Sequence, residues 1–181
     1  MGELGILKIA AEHDLSMLQT WMTPTDVPCE LLQGPGAAGH SFEPLGVVAI
    51  YGAWNAPLYT TLKPMINAIT AGNCCLIKPS EMAAESSKVI KKFCDKYMDN
   101  DAIITIEGGI EVAVPVNKLP LDLICFTGST TVGKIIAKTA AENLTPCLLE
   151  LGGKCPVIVA EDAKIEFTAT KIAQAKTLNS G

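Results

Sequence analysis

The chain has 181 residues, of which 49% are hydrophobic and 18% charged; this balance excludes intrinsic disorder and leaves room for one domain with a substantial core. The net charge of −5, with 14 Lys and Arg scattered along the chain, excludes the clustered basic surface that a nucleic-acid partner needs. No uninterrupted run of about 18 apolar residues occurs, which excludes a helical membrane span; the most apolar stretch, 47–62, is broken by Gly52, Asn55 and Pro57.

In chain order, residues 3–22 read as a helix, because Leu4, Leu7, Ala11, Leu15 and Leu18 recur at helical spacing. Pro24 and Pro28 end it, and 23–43, rich in Pro and Gly, is predicted as a loop or a short extended excursion. Residues 1–43 are therefore expected to form an N-terminal helix and linker, and 44–181 an α/β domain. After Pro44, short apolar runs stand at Val47–Tyr51, Cys74–Ile77, Ile103–Ile106, Leu123–Phe126, Leu148–Leu151 and Val157–Ala160. None alternates cleanly, as expected of strands buried on both faces. Stretches long enough for helices lie at 58–71, 83–98, 130–142 and 164–178. Strands alternating with helices at this spacing predict a doubly wound, mostly parallel α/β sheet, which takes ligands beyond the carboxyl ends of its strands. The positive mean hydropathy agrees with a sheet covered on both faces, or with apolar surface meant for a partner.

The start of the chain, Met1 to Ile6, has no basic region or signal-peptide core, and Ile6 stands where a myristoylation motif needs Ser or Thr. A cytoplasmic location is expected. The seven cysteines are odd in number, contain no C-x-x-C, and in several cases sit inside apolar runs; they read as reduced thiols used as small core hydrophobes. The only two histidines, His13 and His40, both fall in the first quarter, so no metal site is expected.

Four stretches carry candidate chemistry. Phe126–Lys134, FTGSTTVGK, runs from a buried strand through a turn into a helix, whose first N–H groups and the Ser129 hydroxyl could receive an anion; equally, Ser129 could simply cap that helix. Gly128 to Lys134 also matches the phosphate-loop pattern G-x-x-x-x-G-K, with Val157–Asp162 as its acidic strand. However, Ile135 replaces the hydroxyl residue needed for magnesium, which makes a P-loop phosphotransferase the lesser alternative. In Ile77-Lys-Pro-Ser-Glu81, Pro79 keeps Lys78 extended, so Lys78 and Glu81 fall at a strand's carboxyl end. They could bind a ribose or phosphate, or Ser80 and Glu81 could merely start a helix. Glu150, flanked by leucines in CLLEL, would have its pKa raised toward that of a general base if desolvated; an exposed strand end is the other reading. Asn55, in WNAP after the first buried strand, could donate to a developing oxyanion or only shape a turn.

Taken together, Glu43-Pro-Leu-Gly-Val-Val, Trp54-Asn-Ala-Pro, Ala71-Gly-Asn-Cys-Cys-Leu-Ile-Lys-Pro-Ser-Glu81, Phe126-Thr-Gly-Ser and Leu149-Glu-Leu-Gly-Gly-Lys154 resemble the aldehyde dehydrogenase superfamily in sequence and spacing. Trp21-Met-Thr-Pro is similar to its class 3 branch, which handles fatty and aromatic aldehydes. The resemblance runs from about Leu15 onward and implies a Rossmann-like domain binding NAD or NADP and acting on a small-molecule aldehyde. It implies that Asn55 donates to the oxyanion and that Glu150 activates the water that hydrolyses an acyl-enzyme thioester. Lys78 and Glu81 would bind the adenosine ribose, with Glu81 favouring NAD without excluding NADP. Gly128 and Ser129 would meet the pyrophosphate on the helix containing Gly133. Cys155 stands where relatives carry Ser or Asn, and Ala56 where many carry an aromatic residue. The family's nucleophilic cysteine is expected three positions beyond Gly181. By this reading the chain alone is a truncated, inactive portion, and the homodimer of the full-length family is doubtful for it. A non-catalytic dinucleotide-binding module is the alternative.

Overall fold

The computed structural model describes residues 2–30, 32 and 34–180. The chain divides into two compact units, one ending at Leu151 and one from Gly152 onward. The first unit begins with α1 (Glu3–Met22), followed by β1 (Thr25–Val27) and β2 (Ala38–His40), which pair antiparallel; these strands are the extended excursion expected within 23–43. Helix α1 matches its predicted span, but of its apolar stripe only Leu7 is buried, while Leu4 and Leu15 are 68% and 74% exposed.

The remaining elements are β3 (Val47–Tyr51), α2 (Pro57–Thr70), β4 (Cys74–Lys78), α3 (Ala84–Tyr97), β5 (Ile103–Thr105), α4 (Ile110–Asn117), β6 (Leu123–Gly128), α5 (Thr130–Ala140) and β7 (Cys147–Leu151). The five strands β3–β7 form one sheet in the order β5-β4-β3-β6-β7, and every pair is parallel. The chain thus builds outward from β3 in one direction, then returns and builds outward in the other. This is the doubly wound topology, with its switch between β3 and β6.

The two sheet faces bury separate cores. Val48, Ile50, Cys75, Ile77, Ile103 and Cys125 pack under α2 and α3, with Leu7 of α1 joining them. Ala49, Tyr51, Ile124 and Phe126 pack under α4 and α5. Successive residues of one strand reach opposite faces, so a strand covered on both sides must be apolar throughout; this is why β3 lacks a polar–apolar alternation. The helices follow the same logic at their own period. Thr61, Leu62, Met65 and Ala68 form the buried side of α2, and Gly133, Ile136 and Ala140 that of α5.

Three strands, β3, β4 and β6, are joined at their amino ends by a latch. The Val47 amide donates to Asp122 Oδ2 at 2.7 Å, and the Gly46 amide to Asn73 Oδ1 at 3.0 Å. Gly46 has φ +132°, and a β-carbon there would overlap the Asp122 carboxylate. Only glycine serves both the backbone angle and the close approach.

Two expectations are corrected. Val157–Ala160 is not a strand: it pairs with nothing, and Val157, Ile158 and Val159 are 63%, 93% and 51% exposed. An apolar run without a neighbouring ladder leaves its backbone groups unpaired and cannot hold a strand. Conversely, α4 forms where no helix was expected. The second unit carries α6 (Ile165–Thr177) and a 3-10 turn at Leu178–Ser180. Among the described residues no helix is long and apolar enough to cross a membrane.

Candidate functional site

Parallel pairing aligns Tyr51 with both Lys78 and Phe126, and Thr127 with Glu150. The carboxyl ends of β4, β3, β6 and β7 therefore stand side by side. Along this edge the sheet carries Lys78 and Glu81, then Asn55, then Gly128 and Ser129, then Glu150. Residues scattered over nearly a hundred positions are gathered there by topology alone.

The most constrained of them is Lys78. It is 6% exposed, and its Nζ donates to Glu81 Oε2 at 2.9 Å and to the Pro79 carbonyl at 3.3 Å. A buried ammonium needs a counter-charge, and Glu81, itself half exposed, provides it. The hydrogen bond from Lys78 holds the Glu81 carboxyl below the usual carboxylate range. A depressed folded-state pKa makes the pair's contribution complete above the ordinary carboxylate pKa; it is lost as pH falls through the lowered one. Ser80 does not cap the 3-10 turn that follows it, Glu81–Ala83, so the capping alternative for Ser80 is not realised.

Asn55 lies at the centre of the bend 54–56 between β3 and α2, and is exposed. Among the described residues its side chain has no hydrogen-bond partner, so its orientation depends on how the bend is fastened. The Gly52 amide donates to the Lys78 carbonyl at 3.1 Å. A β-carbon on Gly52 would overlap Thr61 Oγ1 on α2. Pro57 opens α2 at a position where its missing N–H costs nothing, and the Glu3 carboxylate of α1 accepts from the Tyr59 amide of that first turn at 2.7 Å.

At the end of β6, Ser129 Oγ accepts from the Val132 amide at 3.3 Å, so the hydroxyl caps α5. This is the plainer of the two readings of Ser129. The cap satisfies one of the helix's free N–H groups and leaves others directed past the strand end. Gly133 is buried within α5, where a β-carbon would stand 2.7 Å from Cδ2 of Leu151, the last residue of β7. It brings α5 close to β7. The phosphate-loop alternative is therefore corrected. The stretch Gly128–Lys134 is helical from Thr130 on, and its acidic strand at Val157–Asp162 does not exist.

Glu150 lies on β7, an edge strand of the sheet, and is exposed. The desolvation considered for it from its leucine neighbours is absent, because an edge strand buries only what its own neighbours cover. One surface hollow of about 440 Å³ lies elsewhere, along α1 and α2, lined by Asp14, Leu18, Trp21, Phe42 and Asn67 among others. It shares no residue with the sheet's carboxyl edge, where the candidate groups converge.

The cysteines divide by position. Cys75, Cys94 and Cys125 are buried, and burial pushes all three thiols up, Cys75 to about 12. Cys74 and Cys155 are exposed. Thiolates rather than thiols are alkylated. Native iodoacetamide treatment is thus expected to modify Cys74 and Cys155 first, and to spare Cys75, Cys94 and Cys125 until denaturant is added. Peptide mass spectrometry checks this, and early modification of Cys125 would contradict the packing described.

A doubly wound sheet with a buried lysine paired to a half-exposed glutamate at the end of β4, and a capped helix at the end of β6, has the architecture of nucleotide-binding α/β proteins. Residues 28–181 match the sequence model of the aldehyde dehydrogenase family, and the chain belongs to that family. It is 39% identical over 178 residues to aldehyde dehydrogenase family 3 member A2 of Pongo abelii, covering 97% of this chain and 37% of the relative. Among solved structures, AldH of Staphylococcus aureus in a substrate-bound state superposes with a TM-score of 0.94 at 39% identity, covering 98% of this chain and 39% of that one. Mycobacterium tuberculosis aldehyde dehydrogenase complexed with NAD+ superposes with a TM-score of 0.83 at 27% identity, covering 97% and 36%. The chain spans between a third and two fifths of the length of these relatives.

Proposed function

We propose that this chain is the dinucleotide-binding part of an NAD(P)-dependent aldehyde dehydrogenase that converts aldehydes to carboxylic acids, with fatty and aromatic aldehydes as the substrate class. The observation that carries the reading is the buried Lys78, paired with Glu81 at the carboxyl end of β4 beside the switch point of the sheet. An ammonium and a carboxylate held in fixed geometry offer a donor and an acceptor to the vicinal hydroxyls of a ribose. The N-terminus of α5, beyond Gly128 and Ser129, offers N–H groups and a positive dipole end to a pyrophosphate. The donor set therefore fits NAD or NADP, whose nicotinamide, when bound, accepts the hydride leaving the aldehyde carbon.

The chain's own residues hold and polarise. Asn55 donates its amide to the oxygen of the tetrahedral adduct, where negative charge develops. Glu150 takes a proton from the water that releases the carboxylic acid from an acyl thioester. None of the seven cysteines stands at the position that the resemblance gives to the thiolate forming this thioester; Cys75, Cys94 and Cys125 are moreover buried, and Cys74 begins β4, at the opposite edge of the sheet. A cytoplasmic location fits the reduced thiols, and an assembly of the whole enzyme as a homodimer belongs to the same proposal.

Titration calorimetry tests the binding half. NAD is expected to give a saturable heat with this chain, and Glu81→Ala to weaken binding about tenfold, the worth of one hydrogen bond to a charged group. No heat at millimolar NAD would overturn the proposal.

A further inference from the structure

Thr60 has a hydrogen-bonding pattern unlike that of the other helical threonines described. Thr70, Thr170 and Thr177 each return their hydroxyl to the carbonyl four residues back, at 2.8–2.9 Å, the ordinary habit of threonine in a helix. Thr60 does this too, meeting the Ala56 carbonyl at 2.9 Å, but its oxygen also accepts from the Ala53 amide at 2.9 Å. One hydroxyl thus ties together the first and last residues of the four-residue stretch that carries Asn55. We infer that Thr60 is a positioning residue for Asn55, fixing the bend so that the amide is aimed before any substrate arrives.

This inference rests on the proposed role of Asn55. The Asn55 side chain is exposed and has no protein partner among the described residues, so the backbone of the bend is what sets where its Cα–Cβ bond leaves the chain. That backbone is held at the Gly52 amide by β4, and across residues 53–56 by the Thr60 hydroxyl. An electrostatic donor contributes to catalysis only when its reorganisation has been completed in advance, and a bridge of this kind does that. The hydroxyl is needed for both bonds; the γ-methyl is not.

The test is nuclear magnetic resonance on the chain itself. In the wild-type chain the Ala53 amide is expected to be protected from hydrogen exchange, and the Asn55 backbone to have an order parameter near 0.85, typical of rigid segments. Thr60→Val keeps the shape and removes the bridge. Ala53 exchange should then rise about fivefold to tenfold, the equivalent of one hydrogen bond, and the Asn55 order parameter should fall toward 0.6. Thr60→Ser restores the hydroxyl and should return both readouts to the wild-type level. An unprotected Ala53 amide in the wild type, an ordered Asn55 in Thr60→Val, or a Thr60→Ser variant as loose as Thr60→Val would each overturn the inference. The wild-type measurement and Thr60→Ser decide the matter if Thr60→Val fails to fold. Failure of Asn55 itself as a donor would show separately, as unchanged turnover of Asn55→Ala in an active enzyme carrying this segment.

Discussion

Ile50→Ala is expected to destabilise the chain by about 2–5 kcal/mol, the range for emptying a well-packed aliphatic site. Ile50 has no exposed surface and lies in β3, with β4 on one side and β6 on the other. It faces the core under α2 and α3, where Leu62, Met65, Ile77 and Ile90 surround it as parts of one cluster. Strands on both flanks hold the backbone of β3, so the cavity cannot close by a shift of the strand. Since domains are stable by only about 5–15 kcal/mol, the variant should lose a large part of its stability. Val47→Ala, in the same strand but 41% exposed, should cost far less. Urea unfolding of both variants checks the contrast, and equal losses would mean that β3 is not the centre of the sheet.

Gly52→Ala is the second large effect, and acts by overfilling. The added methyl would land on Thr61 Oγ1, with Thr61 Cβ 3.1 Å away. Thr61 is fully buried on α2, and among the described residues its hydroxyl has no hydrogen-bond partner. Either the rotamer is forced or α2 moves away from the end of β3, at about 1–3 kcal/mol. For a chain of this length that corresponds to a fall in Tm of roughly 2–12 °C. Gly152→Ala, where nothing lies within 4 Å of the new carbon, provides the control, and should shift Tm by no more than a degree or two. A Gly52→Ala protein as stable as this control would contradict the close packing of α2 on β3.

Much of this architecture was legible because burial on both faces leaves a mark that residue type alone reveals. The runs at Val47–Tyr51 and Leu123–Phe126 are apolar throughout, and each became an inner strand. The run at Val157–Ala160 has the same texture and is no strand. Composition records suitability for burial, whereas a strand also needs a neighbour to pair with. Helix α4 was missed for the opposite reason. Its sequence, IEVAVPVN, is rich in β-branched valine and contains Pro115, both poor helix signals, yet packing overrides them: Val116 and Asn117 are buried and Asn117 Nδ2 donates to the Ile136 carbonyl of α5.

The site was legible to different degrees for similar reasons. Ser129 preceding a helix is a local pattern, and its cap formed. The exposure of Glu150 depends on the strand order, which sequence neighbours do not report. Thr60 gave no signal, because a threonine in the first turn of a helix has an ordinary local role; its second bond, to Ala53, exists only because the chain doubles back at 54–56.

The amino-end latch has a consequence for assembly. The Gly46–Asn73 contact closes a separation of 27 residues, whereas Val47–Asp122 closes one of 75. Loop closure favours the shorter by roughly 1 kcal/mol. The parallel β-α-β unit of β3, α2 and β4 is therefore favoured to form first, and β6 reaches its place later. During that interval β3 presents an open, apolar edge to its surroundings. The strand most protected in the finished sheet is thus open to mispairing while the sheet is being built.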